Sequence, residues 1–179
     1  AYKKYVVMAL FIIAYSVGVL AQTYYYKGGK IPLKVSDKVS VSIPKSKGLI
    51  TDMVLRNTKD IKKVSDTEFD ILVLKQSDFD EMSSVSYWKE NEKSVTVSPC
   101  YLSAEGIELF STPYVNVRLK KEQDIGLLDS EADKLGLKIV KQDALLPLWY
   151  ILCVTTGNDK NALECANALW ESGKFAAAV

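Results

Sequence analysis

PYVNVRLK at 113–120, EQDIGLLDSEADKLG at 122–136, LKIV at 137–140, WYILCVT at 149–155, NALECANALWES at 161–172 and FAAAV at 175–179 decide how this chain folds. In the first segment Val115, Val117 and Leu119 alternate with Asn116, Arg118 and Lys120, the period of a half-buried strand. The period then lengthens. Ile125, Leu128, Ala132 and Leu135 share one stripe, acids occupy the first turn, and Gly136 stands where a helix stops. Residues 137–140 and 149–155 read as two further strands, a hairpin whose connection contains Pro147. Residues 161–172 are helical again, with Ala162, Ala166, Leu169 and Trp170 to one side and Gly173 closing the helix. A short apolar strand follows at 175–179. The order is βαββαβ.

That order is the ferredoxin-like split βαβ, in which two helices cover one face of a four-stranded antiparallel sheet and the other face stays open. Tyr150, Leu152 and Val154 are as apolar as Ile151 and Cys153, so the 149–155 strand has no polar side and its open face needs a cover. Phe175, Ala176, Ala177, Ala178 and Val179 are apolar on both sides as well. Either the residues before Pro113 or a partner protein supplies the cover. The expected fold class is α+β, with a ferredoxin-like unit over 113–179 and a β-rich segment over 22–112.

Lys3 and Lys4 precede an uncharged apolar run over 5–20, and Val19-Leu20-Ala21 carries the small-x-small pattern of a signal-peptidase site. Residues 1–21 are expected to be a cleaved secretory signal, with an uncleaved anchor as the alternative. They hold two lysines and no acid, so their removal turns the net charge from +1 to −1. Such a balance offers no field for nucleic acid or an anionic membrane surface. In the β-rich segment, residues 24–26 and 31–35 flank Gly28-Gly29, a hairpin signal. Val39, Val41 and Ile43 alternate up to Pro44, 69–74 and 94–97 read as strands, and Ala104-Glu105-Gly106 reads as a turn. About six short strands are expected, with a loop, one short helix or strand, and a loop over 45–68. Nothing resembling a linker separates this segment from Pro113, so the two parts are expected to touch.

The chain contains no histidine. Ser/His/Asp and Cys/His nucleophile systems need an imidazole, as do most catalytic zinc sites. No glycine pattern cradles a phosphate. Asp78, Asp80 and Glu81 lack the spacing of a calcium loop and read instead as a helix start capped by Ser77. Residues 155–158 precede a helix, a generic anion position. Trp149 and Trp170 read as core and interface aromatics. Cys153 and Cys165 stand close enough in the expected fold for a bridge, although buried free thiols are the favoured reading of the three cysteines. No cofactor or metal site is expected, and no catalytic residue.

The signal-like start, the β-rich segment, residues 114–120, 146–152 and 162–178, in that order of blocks, resemble the N-terminal propeptide of secreted bacterial subtilisin-like serine proteases. The resemblance is best over 114–179 and implies a secreted or periplasmic protein. It also implies a partner: a subtilisin-like catalytic domain, in cis or in trans, on which the open sheet face packs. The propeptide then acts as folding chaperone and temporary inhibitor, with no peptidase activity of its own and no membrane contact after signal cleavage. The protease-binding residues so implied are Tyr150, Leu152, Val154, Phe175, Ala176, Ala177, Ala178 and Val179. A stand-alone protease inhibitor, or a secreted structural or adhesion module, is the rival expectation.

Overall fold

The structure, a computed structural model, describes residues 22–26 and 29–179. The expected signal segment and the turn at 27–28 lie outside the described residues. The fold is α+β, built on two antiparallel sheets. The first contains β1 (Gln22–Tyr26), β2 (Gly29–Pro44), β3 (Lys62–Ser65), β4 (Phe69–Lys75), β5 (Thr96–Leu102) and β6 (Glu108–Phe110). Its order is β3-β4-β2-β5-β6, with β1 added against the start of β2. Where the alternation suggests two strands, β2 is a single strand of 16 residues. Its register against β5 slips between Val35 and Val39, an irregularity of the kind that bends a strand. One half of β2 thus pairs with β1, and the other, from Lys38 on, pairs with β4.

Three helices cover one face of this sheet: α1 (Gly48–Asn57), α2 (Gln76–Ser83) and α3 (Ser86–Asn91). Ile50, Val54, Met82 and Trp88 pack there against Val39, Val41, Ile43, Leu72 and Leu74. Phe79 meets the Trp88 ring edge to face at 5.3 Å. The sequence leads to a helix start at Ser77 and to one short helix or strand over 45–68; the structure has a helix in both places, and α3 is the one that goes unread. In α3 the pattern is too short to register, since it has six residues. Ser77 is not the cap of α2. β4 runs into α2 without a linker, so Lys75 takes the N-cap position.

Asp70 is the one acid buried in this sheet. Its carboxylate accepts from Lys45 Nζ at 2.7 Å and Ser65 Oγ at 2.6 Å, and Lys63 Nζ lies at 3.2 Å. Burial pushes the carboxyl up, but the hydrogen bonds from Lys45, Ser65 and Lys63 outweigh it and hold the group well below the carboxylate range. Because the folded value is depressed, the stabilisation is present above the ordinary aspartate value of 3.8 and is lost as pH falls below it. Both lysines are half in solvent, which keeps the contribution small. Asp70→Asn is expected to cost about 1–2 kcal/mol at neutral pH, with the difference from the unsubstituted chain vanishing in strong acid. Urea unfolding at a series of pH values checks it; a difference that grows on acidification would refute the assignment.

The second sheet contains β7 (Tyr114–Arg118), β8 (Leu137–Gln142), β9 (Trp149–Val154) and β10 (Ala177–Ala178) in the order β10-β7-β9-β8, with every pair antiparallel. α4 (Ile125–Lys134) joins β7 to β8, and α5 (Ala162–Glu171) joins β9 to β10. The chain order β7-α4-β8-β9-α5-β10 is the expected one. The Asn161 side chain accepts from Glu164 N while the Glu164 carboxylate accepts from Asn161 N, a capping box that fixes the start of α5. At the end of α4, Gly136 adopts φ +63°, and a Cβ there would fall 2.7 Å from Asn158 Nδ2. That amide donates to the Leu135 and Gly136 carbonyls, and Thr155 Oγ1 donates to Gly136 O. The loop at 155–158 therefore closes α4, with the side chains of Thr155 and Asn158 committed to backbone.

Val115, Val117, Leu119, Leu128, Ala132, Leu137, Leu152, Val154, Cys165 and Leu169 form the core between this sheet and its helices. The two parts of the chain touch, as expected. Ser40 Oγ donates to Ser111 O at 3.1 Å, and Asn167 Nδ2 on α5 donates to Thr23 O at 2.6 Å. α5 thus has the second sheet on one side and the start of the first on the other.

Candidate partner-binding face

Register decides which side of β9 is free. Val115 and Val117 lie opposite Leu152 and Tyr150, and directly opposed residues share a face. Val115, Val117 and Leu152 are all fully buried under α4 and α5, and Val154 is 2% exposed. The expected binding role of Tyr150, Leu152 and Val154 on an open face is therefore corrected: these three point toward the helices. Tyr150 packs against that core while remaining half-buried. The free side belongs to Trp149, Ile151 and Cys153, facing Arg118, Asn116 and Tyr114 respectively.

The remaining strands complete the surface. Lys138 lies opposite Cys153 and Lys141 opposite Ile151, on either side of a bulge in β8 that leaves Val140 exposed. At the other edge, Ala177 lies opposite Arg118, and Val179 exchanges two backbone hydrogen bonds with Asn116, at 2.6 and 2.9 Å. The C-terminal strand divides accordingly. Phe175 and Ala178 are buried in the core, whereas Ala176 and Val179 are exposed and Ala177 is half-buried. Of the expected binding residues, then, Ala176, Ala177 and Val179 remain available to a partner, and Phe175 and Ala178 do not. The face is mixed: an aromatic and aliphatic strip along β9, bordered by Arg118, Lys138 and Lys141.

The first sheet covers only one end of it. The turn at 66–68 stands beside Tyr114, Asn116, Val140, Lys141 and Ile151 around a recess of about 440 Å³. Phe69 meets Tyr114 edge to face at 5.8 Å. Burial, with Asp66, Cys153 and Glu68 nearby, pushes the Tyr114 phenol up to about 12. At the other end the recess around Arg118 and Trp149 is lined by Leu146, Pro147 and Leu148, and no described residue of the first sheet walls it. A second recess of about 310 Å³ lies between the first sheet and α5, lined by Leu33, Tyr101, Leu109, Ala162, Leu163 and Ala166 among others.

All three cysteines are free. Cys165 lies in the helix-side core and Cys153 on the opposite face, so the sheet itself stands between them. Burial pushes each of the three thiols up to about 11, which leaves them protonated and poor nucleophiles at neutral pH. Among the described residues no group of three His, Cys, Asp or Glu side chains is placed to hold a metal ion. No helix among them is long and apolar enough to cross a membrane. No protein-family model matches the chain, and no curated protein matches it significantly.

Proposed function

We propose that this chain is the N-terminal propeptide of a secreted subtilisin-like serine protease, acting as folding chaperone and temporary inhibitor of the catalytic domain. The observation that carries the reading is the two-sided second sheet. Its order β10-β7-β9-β8 with both helices on one face suits a ferredoxin-like unit. Its other face keeps Trp149, Ile151 and Cys153 only half-buried. Aromatic and aliphatic side chains ringed by basic ones make the composition of an interface core with a polar rim. The edge strand β10 leads into Val179, which pairs with Asn116 beside this face, in the extended conformation that a protease cleft takes. Residues 1–21 serve in this reading as the export signal.

Titration of the purified chain into subtilisin, with hydrolysis of a chromogenic peptide as readout, tests the proposal. Inhibition is expected at micromolar concentrations or below, relaxing over time as the inhibitor is digested. No inhibition at about 10 μM would overturn it.

A further inference from the structure

We propose that the recess between the first sheet and α5 is a peptide-binding slot, in which an extended segment of a partner protein adds as a strand between β6 and β10 and buries one apolar side chain. Two sheet edges border it. Among the described residues β6 pairs only with β5 and β10 only with β7, so each strand leaves its other edge open. Phe110 of β6 and Ala178 of β10 both line the recess.

Register fixes where the backbone of each edge points. Ser103 N donates to Ile107 O at 2.9 Å. Hydrogen-bonded and non-hydrogen-bonded pairs alternate along an antiparallel ladder, so the next bonded pair is Tyr101 with Leu109, and the N–H and C=O of Phe110 turn away from β5. In β10, Val179 exchanges two bonds with Asn116, which turns the N–H and C=O of Ala178 away from β7. Outward backbone groups of two separate sheets therefore border one recess. An extended chain carries donors and acceptors along both of its sides, and so can pair with two strand edges at once.

The lining sets the chemistry of the inserted side chain. Leu33, Tyr101, Leu109, Leu163 and Ala166 surround a space of about 310 Å³, and no Asp, Glu, Lys or Arg side chain lines it. The space suits one leucine, isoleucine or phenylalanine side chain of the added strand, whose neighbours on either side point the other way. The walls are tied in place beforehand. Asn167 Nδ2 donates to Thr23 O, and Ser40 Oγ donates to Ser111 O just beyond β6, so little ordering opposes entry. None of Trp149, Ile151 and Cys153 lines the slot. Its occupant is separate from the partner of the open face, and the slot does not depend on the propeptide reading.

The probe is the peptide acetyl-Thr-Val-Leu-Val-Thr-amide, titrated into the isotope-labelled chain and followed by the shifts of its amide resonances. Saturating shifts at the Phe110 and Ala178 amides are expected, with a Kd below about 1 mM. Methylating the backbone nitrogens of the three central peptide residues removes strand donors and is expected to weaken binding at least about 10-fold. Leu109→Lys, at a position 39% exposed, is expected to weaken it at least about 5-fold, with circular dichroism confirming the fold. No shift at either amide with about 5 mM peptide would overturn the proposal. Equal binding of the methylated and unmethylated peptides would reveal an apolar recess that takes a side chain without strand pairing, and would overturn it too. Shifts at the same amides that grow with protein concentration, in the absence of peptide, would assign the slot to a second copy of this chain and likewise overturn it.

Discussion

Leu152→Asp is expected to abolish cooperative unfolding of the second sheet and its helices. Leu152 is fully buried, lies opposite Val115, and sits in the cluster that holds β9 to α4 and α5. Deleting a leucine from such a core costs about 2–5 kcal/mol before any charge is considered. An introduced carboxylate adds a desolvation cost that no described polar group in the cluster offsets, since the cluster is built from Val, Leu, Ala, Cys and Phe. Together these approach the whole stability of a domain of this size, about 5–15 kcal/mol. Near-ultraviolet circular dichroism and a thermal melt measure it. A sharp transition within a few degrees of the unsubstituted chain would show that Leu152 is not in the core and that the register assigned to β7 and β9 is wrong.

The same residue shows what the sequence can and cannot carry. β7 alternates cleanly, and its inward and outward sides, Val115 and Val117 against Asn116 and Arg118, are legible from the chain alone. β9 is Trp-Tyr-Ile-Leu-Cys-Val, apolar on both sides, so alternation marks it as a strand without saying which side meets the helices. Only the pairing of Val115 with Leu152 settles that, and register between strands 30 or more residues apart is set by the assembled core. Hence the sequence alone offers Tyr150, Leu152 and Val154 for the free face as readily as the odd-numbered residues beside them, which hold it.

The helices divide in a similar way. α4 and α5 each run ten residues with a recognisable stop, Gly136 at φ +63° and Gly173 at φ +67°, and α5 has its capping box. α1 is as long, but no side chain caps its start and it follows Pro44 through a single 3-10 turn. Its Ile50 and Val54 make a helical stripe that is plain only once the sheet beneath is in place. The loop at 143–148 was legible only as a connection. A leucine pair beside a proline at a hairpin reads equally as strand end or exposed tip, and the bonds that Asp143 Oδ1 accepts from the N–H groups of Leu145 and Leu146 leave no periodic trace.

Ile151→Asp, one residue from the core position, is expected to leave the fold intact and remove most of the inhibition. Ile151 lies on the open face between Asn116 of β7 and Lys141 of β8. The lysine directly opposite offers the introduced carboxylate a cross-strand partner. Stability should therefore change by no more than about 1.5 kcal/mol, the range of an ordinary substitution on a strand face. Binding behaves differently. Docked against a protein surface, the carboxylate is stripped of water at the centre of the strip formed by Trp149, Ile151 and Cys153, where charges are depleted in interfaces and each lost anchor costs about 2–4 kcal/mol. Inhibition of subtilisin should weaken about 100-fold. Because adjacent residues of a strand face opposite ways, the pair separates the two roles: Leu152→Asp removes folding and binding together, Ile151→Asp removes binding alone. A folded Ile151→Asp chain that inhibits as well as the unsubstituted one would mean that the open face does not meet the protease.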